Sequence, residues 1–267
     1  MVRSSSSLVV GWNEDAGRLG PKVIEYLVRR LGGQEVAEIE PEGYFSLGGV
    51  SVENDIAQFP ECKLHYCREK GLAFCRSDPP RANWHRFLHS ILDVAEACCN
   101  AQELYTFGAM ISFGPHTAPR ELIAVASSPE ARALLGSYGL STEIDYETPP
   151  GQRPTLNSFL LWVAQRRGMS GASLWVPIPF YLVGTDDPRA WKRVVEFLDV
   201  RFDLGLDLGD LDEEVARQDG VISQIRDRYP DMDNSIRKLE NNLALSQEES
   251  EALAKGMEEL LRKRELS

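Results

Sequence analysis

The feature that most narrows the fold lies near the start of the chain. Leu8-Val9-Val10-Gly11-Trp12 is a short apolar run bounded by turn residues, the pattern of a buried strand. It passes directly into the loop Asn13-Glu14-Asp15-Ala16-Gly17. Pro21 suits the first turn of a helix, where its missing N–H costs nothing. Val23, Ile24, Leu27, Val28 and Leu31 then recur at helical spacing, and Gly32-Gly33 ends the run. A strand, a glycine-flanked loop and a helix in that order open an α/β fold.

The same alternation continues. Val36–Ile39, Val50–Val52, Lys63–Cys67 and Gly71–Cys75 read as strands, the second and third as a possible hairpin. A helix is expected from Trp84 to Cys99, with Phe87, Leu88, Ile91, Leu92, Val94 and Ala95 on one broad face. Strands follow at Glu103–Ile111 and Leu122–Ala126. Ser128-Pro129 starts a helix, a second runs from Thr155 to Arg167, and a strand at Ala172–Val176 leads into Pro177–Tyr181. Asp187-Pro188 caps a further helix with Trp191, Val194, Val195 and Leu198 inward. Trp84, Trp162, Trp175 and Trp191 read as core. This order predicts a largely parallel sheet covered by helices on both faces.

Beyond Leu208 the strand signals stop. Asp210–Ser267 carries 15 acidic and 9 basic residues with sparse apolar positions, and Ser246-Gln247-Glu248-Glu249 has the form of a capping box. The expected division is an α/β body over residues 1–207 and a charged extension of two or three helices over 208–267.

Charge excludes some functions. A formal net charge of −12 argues against general nucleic-acid binding and against docking on anionic lipid. The five cysteines, the lack of a secretory leader and the absence of an apolar run of membrane-spanning length predict a soluble cytoplasmic protein with reduced thiols.

In open α/β sheets ligands gather at the carboxyl ends of the strands. The residues there that can carry chemistry are Asp15, Gly17, Asp78, His116, Thr148 and Gly151, the last two in the loop Tyr146–Gly151. None is assigned as a catalytic residue. His116 is an acid, base or ligand candidate, or else a loop residue bonded to backbone. Asp78, before two prolines, has the form of a turn aspartate. The Gly11–Gly20 loop offers helix-start N–H groups to an anion, but Glu14 and Asp15 oppose a phosphate and the lysine of a P-loop is missing. Cys62, His65 and Cys67 lack a second ligand cluster, so no metal is expected, and no cofactor.

As an ordered set, these loops resemble the proteasome assembly chaperone 2 family, in its uncharacterised prokaryotic branch. The resemblance rests on Gly11–Gly20 with Glu25-Tyr26-Leu27, on Glu40 with Tyr44-Phe45, and on Asp78-Pro79 and Trp84–Glu96. It continues through Tyr105–Gly108, Pro115-His116-Thr117-Ala118-Pro119-Arg120 and Leu174–Pro177 with Tyr181, so that it spans about Val9 to Leu211. It implies a three-layer α/β/α sandwich like that of purine nucleoside phosphorylases with a C-terminal helical extension. It also implies a homo-oligomer, often a homotrimer, and a non-enzymatic role in assembling or binding the proteasome core or another protein partner. Archaeal members that dock into proteasome pockets end in a hydrophobic residue, a tyrosine and any residue. Glu265-Leu266-Ser267 departs from that pattern, which argues against direct pocket docking. The alternative from the residues themselves is a nucleoside- or phosphate-type enzyme or binder using a strand-end pocket.

Overall fold

The computed structural model describes residues 5–40, 42–45, 51–53, 56–142, 145, 147–149 and 151–265. Val50, Tyr146 and Pro150, and the ends Met1–Ser4 and Leu266-Ser267, lie outside the described residues.

A seven-stranded sheet flanked by helices forms the body, in the order β2-β5-β6-β1-β7-β9-β8. Its strands are β1 (Ser6–Trp12), β2 (Gln34–Glu38), β5 (Cys62–Cys67), β6 (Leu72–Ser77), β7 (Ala101–Ser112), β8 (Ile123–Ala126) and β9 (Ser170–Pro179). Two short strands, β3 (Ser51–Glu53) and β4 (Ile56–Gln58), pair only with each other. The helices α1 (Leu19–Leu31), α2 (Trp84–Cys99), α3 (Pro129–Ser137) and α4 (Leu156–Arg166) intervene. Then come α5 (Pro188–Phe202), α6 (Gly209–Arg228), α7 (Pro230–Glu240) and α8 (Gln247–Glu265).

Three expectations need correction. The sheet is mixed, not largely parallel. β1 runs parallel to β6 and β7, whereas β2/β5, β5/β6 and β8/β9 are antiparallel. The turn between Cys67 and Leu72 is too short for the crossover that a parallel pair requires, so β5 and β6 fold back on one another. That also makes β6, and not β3, the hairpin partner of β5. The third correction concerns the tryptophans read as core: Trp191 is buried and Trp84 and Trp175 are half-buried, but Trp162 is 44% exposed, because the buried stripe of α4 is Leu160, Leu161, Val163 and Ala164.

The chain divides into two compact units. The first holds Met1–Glu14, Gly20–Gly108 and Ile123–Trp175, and the second Asp15–Leu19, Ala109–Leu122 and Val176–Ser267. In the first, Leu8 and Val10 of β1 share one apolar cluster with Phe87, Leu88, Ile91, Leu92 and Ala95 of α2 and with Leu160, Val163 and Ala164 of α4. Each large apolar side chain so buried contributes about 1.5–3 kcal/mol. The glycine at 20 is a packing requirement. A Cβ there would overlap the Trp12 carbonyl oxygen, so only glycine lets α1 start this close to β1.

In the second unit α5 buries Val194, Val195 and Leu198, and α6 buries Leu211, Ile222 and Ile225. α7 buries Ile236 and Leu239, and α8 packs on the Phe180–Leu182 turn with Leu253, Met257 and Leu261 buried. The helical segment from Leu208 onward is therefore built on sparse apolar seams. Ion pairs decorate its surface: Arg226 meets Asp233 at 2.7 Å and Glu240 at 2.6 Å, and Lys238 meets Glu249 at 2.5 Å. Surface pairs contribute at most about 1 kcal/mol each, and the half-buried Arg226–Asp233 pair is the one screened least by solvent. The capping box forms: Ser246 Oγ accepts from Glu249 N–H at 3.1 Å, and the Glu249 carboxylate accepts from Ser246 N–H at 2.9 Å.

Candidate functional site

Of the six sequence-predicted residues, Asp15, Gly17 and His116 fall in the second unit, and Asp78, Thr148 and Gly151 in the first.

In the second unit the loop residues close on one another. Gly17 adopts φ 65°, a left-handed conformation that favours glycine, and a Cβ there would meet Ile178 Cδ1 at 2.7 Å. Its backbone is fully engaged. Gly17 N–H donates to the Val183 carbonyl at 3.1 Å, and its own carbonyl accepts from Asp187 N–H at 3.2 Å and from Trp191 Nε1–H at 2.7 Å. Asp187 is the hub. Its Oδ1 accepts from Ala190 N–H at 3.0 Å and so caps α5, while Oδ2 accepts from Arg120 Nε at 3.2 Å and Nη2 at 2.9 Å. Both side chains are almost wholly buried, at 3% and 0% exposure, which makes this a buried ion pair with its hydrogen bonds made. Arg120 Nη1 also donates to the Ala118 carbonyl at 2.8 Å, which fixes the loop after His116.

His116 is buried, and its partner is Tyr181. The His116 backbone N–H donates to the Tyr181 hydroxyl oxygen at 2.6 Å, and Nδ1 lies 3.0 Å from the same oxygen. The hydroxyl has one proton to give, and donating it to Nδ1 would satisfy both groups and leave the ring proton on Nε2. Burial lowers the His116 pKa to about 4, and the nearby Asp219 carboxylate only partly opposes this. Burial also raises the Tyr181 phenol above its ordinary value, so both partners stay neutral near pH 7.

Asp15 differs from these. Its Oδ1 accepts from Ala16 N–H at 3.0 Å and from Ala109 N–H at 3.2 Å, but Oδ2 is buried without a partner. Burial raises its pKa to about 6, against the pull of those two N–H groups. It is the candidate with acceptor capacity left over.

In the first unit Asp78 ties loops together. Its Oδ2 accepts from Glu61 N–H at 2.9 Å and from Asn13 Nδ2 at 3.1 Å, while its own N–H donates to the Glu61 carbonyl at 2.9 Å. Thr148 is half-buried and Gly151 exposed, with φ 84° in a turn closed by Gln152 N–H on the Pro149 carbonyl at 3.0 Å. A 670 Å³ cleft along β8 and the start of α3 and a 550 Å³ cleft between α7 and α8 are lined by none of the six.

The sequence reading missed the pairing of Arg120 with Asp187 and the role of Asn157. Asn157, 5% exposed, accepts from Trp12 Nε1–H at 2.6 Å and donates to the Phe107 carbonyl at 3.1 Å. An asparagine on the apolar stripe of a helix is the signal that marks such a buried polar tie.

Solved structures of the same fold put this arrangement in context. A PAC2 family protein of Streptomyces avermitilis is 23% identical, covering 83% of this chain and 97% of its own, with a TM-score of 0.69. A proteasome-assembly chaperone homologue of Mycobacterium tuberculosis is 19% identical over 81% of this chain and 94% of its own, at 0.67. PbaB of Pyrococcus furiosus, an archaeal proteasome activator, is 18% identical over 85% and 95%, at 0.68. No curated protein matches the chain significantly. The sequence model of the PAC2 family matches residues 8–226, nearly all of the sheet body and most of α6, and the chain belongs to the PAC2 family.

Proposed function

We propose that the chain is a non-enzymatic assembly chaperone or protein-interaction scaffold that works as a homo-oligomer in the cytoplasm, with a proteasome-related or other protein as its partner. Family membership and structural likeness to a proteasome-assembly chaperone homologue and a proteasome activator support this reading. The observation that carries it is the bonding of three strand-end residues to their own surroundings. The Gly17 backbone, the His116 N–H and Nδ1, and Asp78 Oδ2 bond to neighbours within their own unit, so these residues act as ties and leave the outer surface to do the work.

The test is affinity capture of the full chain from the cells that make it, with quantification of proteasome core subunits, alongside its mass by sedimentation. Enrichment of those subunits by a multimeric chain supports the reading, and a monomer that captures no protein contradicts it.

Asp15 favours a second reading, in which the second unit holds a small hydrogen-bond-donating ligand of the nucleoside or phosphate class at Oδ2. Asp15, Gly17 and His116 would line such a site in the second unit; Asp78, Thr148 and Gly151 would be a separate candidate within the first. A native-state ligand raises the melting temperature by mass action. A shift with nucleosides or phosphate that disappears in Asp15→Ala supports this reading, and no shift with any of them overturns it.

A further inference from the structure

The first unit carries a partly exposed aromatic strip along α2 and α4. On α4, Phe159, Trp162 and Arg166 stand at i, i+3 and i+7: Phe159 is half-buried and packs against the core at the edge of the buried stripe, while Trp162 and Arg166 are exposed. Phe159 and Trp162 have ring centroids 5.4 Å apart, and the Arg166 guanidinium sits over the Trp162 ring at 5.3 Å. His85 of α2 lies 6.3 Å from Phe159 and 6.5 Å from Trp162. Nearby on the same unit, Arg153 covers Trp84 at 6.0 Å.

Charge is the unusual part. In a chain of net charge −12, Arg86, Arg153 and Arg166 are all exposed, and among the described residues none of the three forms an ion pair with a carboxylate. Arg167 next to them is different: it holds Asp93 at 2.6 Å and Glu96 at 2.8 Å. Tryptophan and arginine dominate the energetics of protein interfaces, and an aromatic floor rimmed by unneutralised guanidiniums fits an acidic partner surface with apolar residues between the charges. Nucleic acid fits less well, because three cations neutralise few phosphates and the chain as a whole repels a polyanion.

The chain itself contains the complementary surface. Around the start of α6, Leu206-Asp207-Leu208-Gly209-Asp210-Leu211-Asp212-Glu213-Glu214 places acidic residues between leucines. Asp207, Asp210, Asp212 and Glu213 are exposed, with Leu206 and Leu208 half-buried; within the chain Asp212 pairs with Lys192, Glu214 with Arg217, and Asp207 and Asp210 accept the Gly209 and Leu211 N–H groups, each with solvent-facing acceptor surface remaining. We propose that the aromatic–arginine strip of α2 and α4 receives this acidic segment of a second copy. The inference rests on the homo-oligomer reading above and names its interface. Because two different surfaces meet, the contact is heterologous and builds a closed ring when its rotation closes.

Sedimentation velocity of the full chain at 0.1 M and 1 M salt tests this, comparing the native protein with Arg153→Glu/Arg166→Glu, with Asp210→Lys/Glu213→Lys, and with a mixture of the two variants. The native chain should associate at low salt and weaken at high salt, because such charges are screened. Each double variant alone should associate at least tenfold more weakly; the arginine variant should keep the native melt, and the acidic-segment variant should stay folded with a modestly lower melt, because Asp210 also accepts the Leu211 N–H at the start of α6. The mixture should recover a heteromeric species through its swapped charges. A native chain that is monomeric at all concentrations overturns both the homo-oligomer reading and this interface. A native oligomer indifferent to the variants overturns the interface alone. Nucleic acid bound by the native chain and lost in the arginine variant, with no effect on self-association, also overturns it.

Discussion

The buried polar cluster of the second unit and the exposed strip of the first are built from the same kinds of side chain and are used in opposite ways. Arg120 is buried and bonded to Asp187 and the Ala118 carbonyl, whereas Arg166 lies exposed over an indole with no carboxylate partner among the described residues. His116 is buried against Tyr181, whereas His85 is exposed among Phe159 and Trp162. A buried polar group must find all its partners within the fold, so it specifies structure. An exposed aromatic with an unpaired cation keeps its capacity for something outside. On this view residues that look catalytic in sequence are structural, and residues that look structural are the working surface.

The largest expected effect tests the buried half. Asp187→Ala strips the partner from a buried guanidinium, which costs about 3–5 kcal/mol, and removes the cap of α5, worth about 1 kcal/mol more. Urea unfolding should show it, and a loss under about 1 kcal/mol would mean that the cluster is not a keystone. Next in size is Gly20→Ala. Its new methyl group would overlap backbone rather than a side chain that can rotate away, so a cost of about 1–3 kcal/mol or more is expected, read as a lower denaturation midpoint.

Tyr181→Phe should cost about 1–3 kcal/mol, because it orphans the buried His116 N–H. A rise in stability would show that water already serves that group. pH sharpens the same contrast. His116, with its pKa lowered to about 4, adds stability above about 6.5 that is lost as pH falls through 4. Asp15, raised to about 6, does the reverse, adding stability below about 4 that is lost as pH rises through 6. Chemical unfolding across pH 4–7 should therefore lose part of its acid-side slope in His116→Gln and gain slope in Asp15→Asn. The smallest effect on stability belongs to the other half of the comparison. Trp162→Ser should stay within about 0.5 kcal/mol of the native chain while weakening self-association.

How far the sequence foretold this depends on the range of each interaction. The Asp187 and Ser128 caps and the Ser246–Glu249 box are legible because capping partners sit two or three residues apart, whereas Thr155, read as the helix's first residue, is its cap. The span of α2 was legible from its apolar period. The pairing of Arg120 with Asp187 spans 67 residues and leaves no local trace, so the aspartate was read for only one of its two jobs. Sheet direction depends on which strands meet, which is why the antiparallel β5/β6 pair was read into a largely parallel sheet. Trp162 misled because an aromatic on the flank of an apolar stripe looks the same in sequence whether or not a neighbour covers it.

The central claim is that the strand-end residues are ties and not a reactive pocket. Nitrogen chemical shifts of the His116 ring test it most directly, and with four histidines in the chain the assignment is tractable. The account predicts a neutral ring with its proton on Nε2 at pH 7, a midpoint near 4, and no change on adding phosphate or nucleosides. A midpoint at the ordinary value near 6.5, or a ring perturbed by either ligand, would contradict it.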